Sequence, residues 1–477
     1  MMGAGPLLPL KLSLVILFLF SVAASVQCFE KKVLNLQNLQ WKQKNGISNF
    51  LPQKSRREKG ATMLEIKHRH YSGKTIDWNK KLQKSLILDD IHVRSLQSRI
   101  KNMVYGTVKD ISSQTPLTSG ARLQTLNYIV AVSLGGQQMT MIVDTGSDLT
   151  WVQCQPCTSC YNQQDPLYTP SISPSFQAVL CNSSTCQSVQ SATGTSGLCG
   201  SNSPSCNYIV SYGDGSYTRG DLGSEELNLG TTTVKSFIFG CGRNNKGLFG
   251  GASGLMGLGR SPLSLVSQTS AIFDGVFSYC LPSTGAGDSG SLVLGANPFL
   301  YKNTTPITYT RMLPNLQVPT FYFLNLTGVS VGGVPLQAES FGKGGILIDS
   351  GTVISRLPPS IYKALQTEFV KQFSGFPSAP AFSILDTCYN LTAYQEVNIP
   401  TITMYFEGNA EIDVDVLGMF YFVKSDASQM CLALASLSSK DDMGIIGNYQ
   451  QRNQRVIYDT KESKLGFASE TCNFNEA

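Results

Sequence analysis

The chain has 477 residues, of which 42% are hydrophobic and only 14% charged, with 44 Gly and 21 Pro. That length holds two or three domains' worth of core, and the composition excludes a chain disordered throughout, a coiled coil and a collagen-like fibre. The net charge of +5 conceals a split: Glu30 to Asp110 hold 18 Lys and Arg against 7 acidic residues (+11), whereas Ile111 to Ala477 hold 18 against 25 (−7). So large an asymmetry gives the two parts different jobs. All three histidines, His68, His70 and His92, lie in the basic part. If the acidic body is the working part, it uses neither a Ser–His–Asp nor a Cys–His arrangement and holds no His-ligated metal.

In chain order, Met1–Cys28 reads as a secretory signal peptide, with Lys11, an apolar Leu12–Phe20 core and small residues Ser21–Ser25. The apolar run Leu12–Ala24 is too short to span a bilayer, so no membrane anchor is expected. Residues 29–115 follow as a basic leader with the pairs Lys31-Lys32, Arg56-Arg57 and Lys80-Lys81. Its well-patterned piece is Trp78–Met103, where Leu82, Leu86, Ile91, Leu96 and Ile100 recur at loosely helical spacing. One reading is a solvated linker with a single helix. The sharper reading is a propeptide whose positive charge lies on an acidic surface of the body.

From Asn127 the texture changes to short β-branched and aromatic runs between Gly, Ser, Asn and Pro turns. Such runs include Tyr128–Leu134, Met139–Val143, Tyr208–Tyr212, Ser236–Phe239, Phe321–Val331, Ile346–Ile348, Ile402–Phe406, Gly418–Val423 and Arg455–Tyr458. This spacing predicts an all-β protein. The clearest helix, Ser360–Phe373, opens after Pro358-Pro359.

Beyond Cys28 there are twelve cysteines: Cys154, Cys157, Cys160, Cys181, Cys186, Cys199, Cys206, Cys241, Cys280, Cys388, Cys431 and Cys472. An even set in an exported chain predicts disulfides. Seven lie within Cys154–Cys206, so at least one must pair outside that segment. Cys154-x-x-Cys157-x-x-Cys160 also has the look of a metal-ligand run, but exported thiols oxidise and no histidine is near, so no metal is expected. Sequons stand at Asn182, Asn303, Asn325 and Asn390.

An internal repeat lies within the β texture. Met141-Ile-Val-Asp144-Thr145-Gly146-Ser147 is echoed 205 residues on by Ile346-Leu-Ile-Asp349-Ser350-Gly351-Thr352. Gly254-Leu-Met-Gly257 follows the first copy, and Gly444-Ile-Ile-Gly447 the second. A lone Asp-Thr-Gly is an ordinary turn. Two copies with apolar lead-ins and matched echoes predict two similar lobes, each contributing one carboxylate. An aspartate ending a buried strand needs its oxygens hydrogen-bonded. The following glycine lets the backbone turn and bring its amide close. The hydroxyls of Ser147 and Thr352 are placed to donate to the carboxylates. Two such loops meeting would hold the carboxyls about 3 Å apart, sharing one proton. The ionised member takes a proton from water while the protonated member polarises a carbonyl. That chemistry needs no histidine, no covalent intermediate and no cofactor.

On these motifs the sequence resembles a pepsin-type aspartic protease of the plant nepenthesin-like branch, from roughly Asn127 to Cys472. The resemblance implies a bilobal, pepsin-like, all-β fold with the active-site cleft between two β-rich lobes, about 125–310 and 311–477. It makes Asp144 and Asp349 the catalytic pair. Trp151 takes the place of the tryptophan that buttresses the flap, and Tyr212-Gly213-Asp214 the flap tip. The segment 152–206 is similar to the branch's Cys-rich insertion, and Cys388 and Cys431 to the family's second-lobe disulfide. Asp89-Asp90-Ile-His-Val-Arg94 through Arg99 looks like its pro-helix. Met63–His70 is similar to a subgroup described as chloroplast-nucleoid DNA-binding proteases. The implied partners are peptide or protein substrates and the chain's own propeptide as an intramolecular inhibitor. The mature form is expected to be a monomer that binds neither nucleic acid nor membrane. The expected location is the secretory pathway, leading to the apoplast or vacuole. A plastid transit peptide would be Ser- and Arg-rich, unlike residues 1–28. Acid is expected to release the leader, whose lysines would reach the aspartate pair, as the body loses negative charge and the histidines gain positive charge. The competing reading is a protease-like binding protein or inhibitor, as in relatives resembling xylanase inhibitors. The intact Asp motifs and Tyr212 argue against it. Binding of DNA through the basic leader is a third.

Overall fold

The computed structural model describes residues 29–39, 54–68, 78–105, 128–199, 204–212, 216–247, 249–283, 289–302, 304–315, 317–424 and 426–474. The expected signal peptide, the flap-tip residues Gly213 and Asp214, and the sequon at Asn303 lie outside the described residues.

Strands form where apolar runs are bounded by turn residues. Tyr128–Leu134, Ile346–Ile348 and Ile402–Phe406 match the sequence reading end to end. The helix is Pro359–Gln372, with Ile361, Leu365 and Phe369 buried on one face. Two runs differ. Ser236–Phe239 belongs to the long strand Thr232–Lys246, which pairs with Tyr217–Leu229. Polar residues along it break the apolar run, and the pairing shifts register at Lys235-Ser236 and at Arg243. Gly418–Val423 divides into a helical turn, Val416–Met419, and the strand Phe420–Phe422. Asp415 starts that turn by accepting the Leu417 amide at 2.9 Å.

Two β-rich lobes result. Residues before Arg311 build most of a 16-stranded sheet, and residues after Phe323 build one five-stranded and two four-stranded sheets. The carboxy-terminal strands Gln454–Asp459 and Lys464–Ser469 cross back to pair with Val276–Cys280 and Thr308–Arg311, tying the lobes together.

The amino-terminal segment is more than a linker with a helix. Lys31–Asn35 pairs antiparallel with Glu396–Pro400. Ala61–His68 lies within the large sheet between Ser289–Leu294 and Tyr128–Leu134. Ala61 through Ile66 are all buried. A strand covered on both faces shows no period-2 alternation, so the pattern that marks most strands was missing here. The helix runs Trp78–Tyr105.

All twelve cysteines pair, as Cys154–Cys241, Cys157–Cys160, Cys181–Cys199, Cys186–Cys206, Cys280–Cys472 and Cys388–Cys431. Cys154 is the member of the crowded segment that pairs outside it. The Cys154-x-x-Cys157-x-x-Cys160 run is therefore used as disulfides, and Cys181, Cys186 and Cys199, which cluster, are likewise all bonded. Asn182 and Asn390 are exposed, and Asn325 is half-buried with its amide on Glu407 at 3.5 Å. No helix among the described residues is long and apolar enough to cross a membrane.

Candidate active site

The two repeated motifs meet. In each lobe the apolar-Gly echo forms a strand parallel to the strand that ends in aspartate. Gly254–Gly257 runs beside Met141–Asp144, and Gly444–Ile446 beside Ile346–Ile348. Close approach explains the glycines: a Cβ on Gly447 would stand 2.6 Å from the Val353 carbonyl oxygen.

The loops grip each other with near two-fold symmetry. The Thr145 amide donates to Ser350 Oγ at 3.1 Å, and the Ser350 amide donates to Thr145 Oγ1 at 2.9 Å. Each aspartate accepts the amide two residues on: Gly146 to Asp144 Oδ1 and Gly351 to Asp349 Oδ1, both at 2.9 Å. A Cβ on Gly146 would stand 2.8 Å from Asp349 Oδ1, and one on Gly351 would press on Asp144 Oδ1. Each glycine thus makes room for the other lobe's carboxylate. Thr352 donates to Asp349 Oδ2 at 2.7 Å. Its counterpart Ser147 is buried without a hydrogen-bond partner, though close enough to favour the charged form of Asp144. Gln451 supports the second loop from behind, reaching the Asp349 carbonyl at 3.3 Å and the Ile446 carbonyl at 2.9 Å.

Trp151, fully buried, donates its indole N–H to the Tyr212 hydroxyl at 2.9 Å. Phe249 packs edge-on against both rings. Tyr212 directly follows the strand Cys206–Ser211, and its amide donates to the Ser216 carbonyl.

The Trp78–Tyr105 helix crosses this site. Leu82 and Leu86 pack against Val353, Ile354 and Tyr421, while Val93, Leu96 and Ile100 pack against Phe321, Phe323, Leu347 and Ile445. Between these groups His92 Nε2 stands 3.5 Å from Asp349 Oδ2. The Asp89 carboxylate takes the Val353 amide at 2.6 Å and the Ile354 amide at 3.1 Å, with the Arg356 guanidinium 3.1 Å away. Arg99 approaches the Gly146 carbonyl at 3.4 Å, Gln97 exchanges hydrogen bonds with the Met443 backbone, and Lys101 pairs with Asp442 at 2.6 Å. A histidine, and none of the leader lysines among the described residues, meets the aspartate pair.

Burial and the nearby Asp349 charge push the Asp144 carboxyl up to about 6. Burial acts the same way on Asp349, but the His92 hydrogen bond and charge, with Thr352 and the Gly351 amide, outweigh it and hold that carboxyl below its ordinary range. Burial alone would lower the His92 pKa, yet the Asp349 contact and the Asp144 and Asp89 charges raise it to about 9. The pair is electrostatically split, one member holding a proton more readily than the other.

His92, Asp89 and Arg356 were not singled out by sequence reasoning as a site. Asp89, His92, Val93, Leu96 and Ile100 share one helical face, and that spacing was the available signal. Arg356 lies within the short strand Ser355–Leu357 and carries no motif.

Residues 128–296 match the family model described as Xylanase inhibitor N-terminal, and residues 321–469 the one described as Xylanase inhibitor C-terminal. An Arabidopsis thaliana aspartyl protease family protein is 38% identical over 445 residues, covering 89% of this chain and 92% of its own. Nepenthesin-1 of Nepenthes gracilis is 38% identical over 357 residues, covering 72% and 78%. The crystal structure of basic 7S globulin from soybean superposes with a TM-score of 0.57 at 19% identity, covering 73% of this chain and 94% of the other, which shows the fold alone. The chain belongs to the plant aspartic protease family of nepenthesin-like, pepsin-fold proteins.

Proposed function

We propose that this protein is an aspartic endopeptidase, made as a zymogen and active in acid, in which Asp144 and Asp349 activate one water. The observation that carries the reading is the symmetric pair of loops, in which each glycine leaves room for the opposite carboxylate. With the helix away, the ionised carboxylate takes a proton from the water. The water oxygen attacks the scissile carbonyl carbon, and the protonated carboxyl gives its proton to the carbonyl oxygen. The resulting diol collapses: the amide nitrogen receives the proton taken from water, the C–N bond breaks, and a diol hydroxyl returns a proton to the second carboxylate. Both carboxyls end as they began. Tyr212, held by Trp151, is proposed to close over bound peptide, with Gly213 and Asp214 at the tip. The cleft takes an extended peptide through main-chain hydrogen bonds.

Residues 29–115 are proposed as the propeptide, 125–310 and 311–477 as the two lobes, and Asn182, Asn303, Asn325 and Asn390 as glycan acceptors. Residues 1–28 are proposed to direct export to the apoplast or vacuole, which six disulfides suit. The mature monomer is proposed to bind no nucleic acid. The second reading, an inhibitor or binding protein, draws on the description of the matched family models. The hydrogen-bonded aspartate pair disfavours it.

The test is cleavage of an acid-denatured protein at pH 3–5 by the acid-treated full chain. Asp144→Asn and Asp349→Asn should each lower the rate by about 10²–10⁴-fold, since each removes a proton-transfer group. Circular dichroism should report an unchanged fold. Near wild-type cleavage by either folded variant would remove the dyad assignment.

A further inference from the structure

The Asp89 carboxylate sits in a socket built wholly by the body of the protein. Its side chain is 1% exposed, accepts the amides of Val353 and Ile354, and stands 3.1 Å from Arg356 Nη2. Asp90, at 3.8 Å, is the second acidic group facing Arg356. Both aspartates belong to the helix, so its departure takes both carboxylates away from the two amides and the guanidinium. Arg356 Nη1 is satisfied by the Ile354 carbonyl at 2.7 Å, but Nη2 is buried without an aligned hydrogen bond. Two convergent amides and an uncompensated cation are costly to leave dry, and they match a carboxylate.

The socket opens beside the catalytic pair. Thr352, on Asp349, directly precedes Val353. His92, which touches Asp349, is three residues from Asp89, about 4.5 Å of helix rise. An extended peptide advances about 3.3 Å per residue. A carboxylate in the socket would thus belong to a residue within two or three positions of the scissile bond.

We infer that Val353 N–H, Ile354 N–H and Arg356 form a carboxylate subsite in the opened cleft, which Asp89 fills in the closed form and an acidic side chain of the substrate fills in the open one. This rests on the peptidase reading and adds a substrate class to it: peptides with Glu or Asp close to the cleaved bond.

The test uses the acid-activated full chain and octapeptides differing only by Glu or Gln at one position, scanned over three residues on each side of the scissile bond. At one position the Glu peptide should have a kcat/KM about tenfold higher than its Gln twin at pH 6, the size of one charge-assisted hydrogen bond. The ratio should fall towards one at pH 3, as Glu protonates through its ordinary value of about 4.3. Arg356→Gln should bring the ratio to one at every pH, and Arg356→Lys should restore part of it. A ratio does not depend on how much of a variant folds. No preference at any position, or a preference that survives Arg356→Gln, would overturn the subsite.

The same peptides with the scissile amide reduced, followed by fluorescence anisotropy, separate the two readings. Tighter binding of the Glu peptide by a protein that cleaves neither substrate would keep the subsite and remove the peptidase. Cleavage of both substrates without a Glu preference would do the reverse.

Discussion

Asp144 is pushed up by burial and the Asp349 charge, His92 is raised by its acidic neighbours against its burial, and the directions decide how acid acts. The docked His92 has its pKa raised from 6.5 to about 9. A raised value means that its contribution to docking is fully present below about 6.5 and is lost as pH rises through 9. Acidification therefore does not discharge the contact through the imidazole. The expectation that acid loosens the leader by charging histidines is reversed at this residue. Asp349 is held below its ordinary value of 3.8, so its share is present above that value and is lost as pH falls through the lowered one. We expect the wild-type pro-form to shorten with a midpoint below about pH 4, and His92→Gln to move that midpoint upward. Gel mobility against pH measures it, and an unchanged midpoint would show that His92 does not hold the helix. His92 is 29% exposed, so water weakens the pair and the shift should be modest. At Tyr212, replacement by Ala should lower kcat/KM without abolishing it, because a flap there, as proposed, would position peptide and transfer no proton. Tyr212→Phe, which loses the bond from Trp151, should fall between the two.

The helix and strand before residue 105 act on the body in different ways. The helix binds by a stripe, Leu82, Leu86, Val93, Leu96 and Ile100, laid over the second lobe. Leu96→Asp puts an unpaired charge into that contact and should give cleavage by the unprocessed chain at a pH where wild type is silent. A silent variant would mean that the stripe does not close the cleft. The strand Ala61–His68 is instead part of the large sheet, with Leu64 fully buried. Leu64→Ala should destabilise the full chain by about 2–5 kcal/mol in denaturant unfolding. A loss near zero would mean that the sheet does not depend on the strand. The stripe was legible except at Ile91, whose expected place Val93 takes, because a period of 3.6 survives in any helix with one apolar face. The strand was not, because burial on both sides removes alternation and its charged neighbours Arg56 and Arg57 read as linker.

At the scale of the molecule, two lobes, six disulfides and a covering segment form one device. Cys154–Cys241 closes 87 residues and Cys280–Cys472 closes 192. Reduction should inactivate the mature protein, whereas a zinc chelator should leave activity unchanged, because the crowded cysteines are spent on bridges. Loss of activity with the chelator and recovery with zinc would reverse that. Purified full chain taken from pH 7 to pH 4 or below should lose roughly residues 29–115 in the wild type, while Asp144→Asn stays full length. Equal shortening of both would mean that another protease does the processing.

The repeat itself told that two aspartates would be brought together, because a motif that places a carboxylate at the end of a buried strand makes little sense once and a specific site twice. The twelve cysteines told that the chain is bridged and that one bridge leaves the crowded segment, by counting alone. Which cysteine left it, Cys154, was decided by the strand Trp151–Gln153 lying parallel to Thr232–Lys246 and bringing the next residue to Cys241. Tertiary structure alone chose His92 to meet Asp349, and Val353, Ile354 and Arg356 to hold Asp89. Those contacts join residues more than 250 positions apart, and what selects them is the fit of one helical face to the second lobe, which no local pattern encodes.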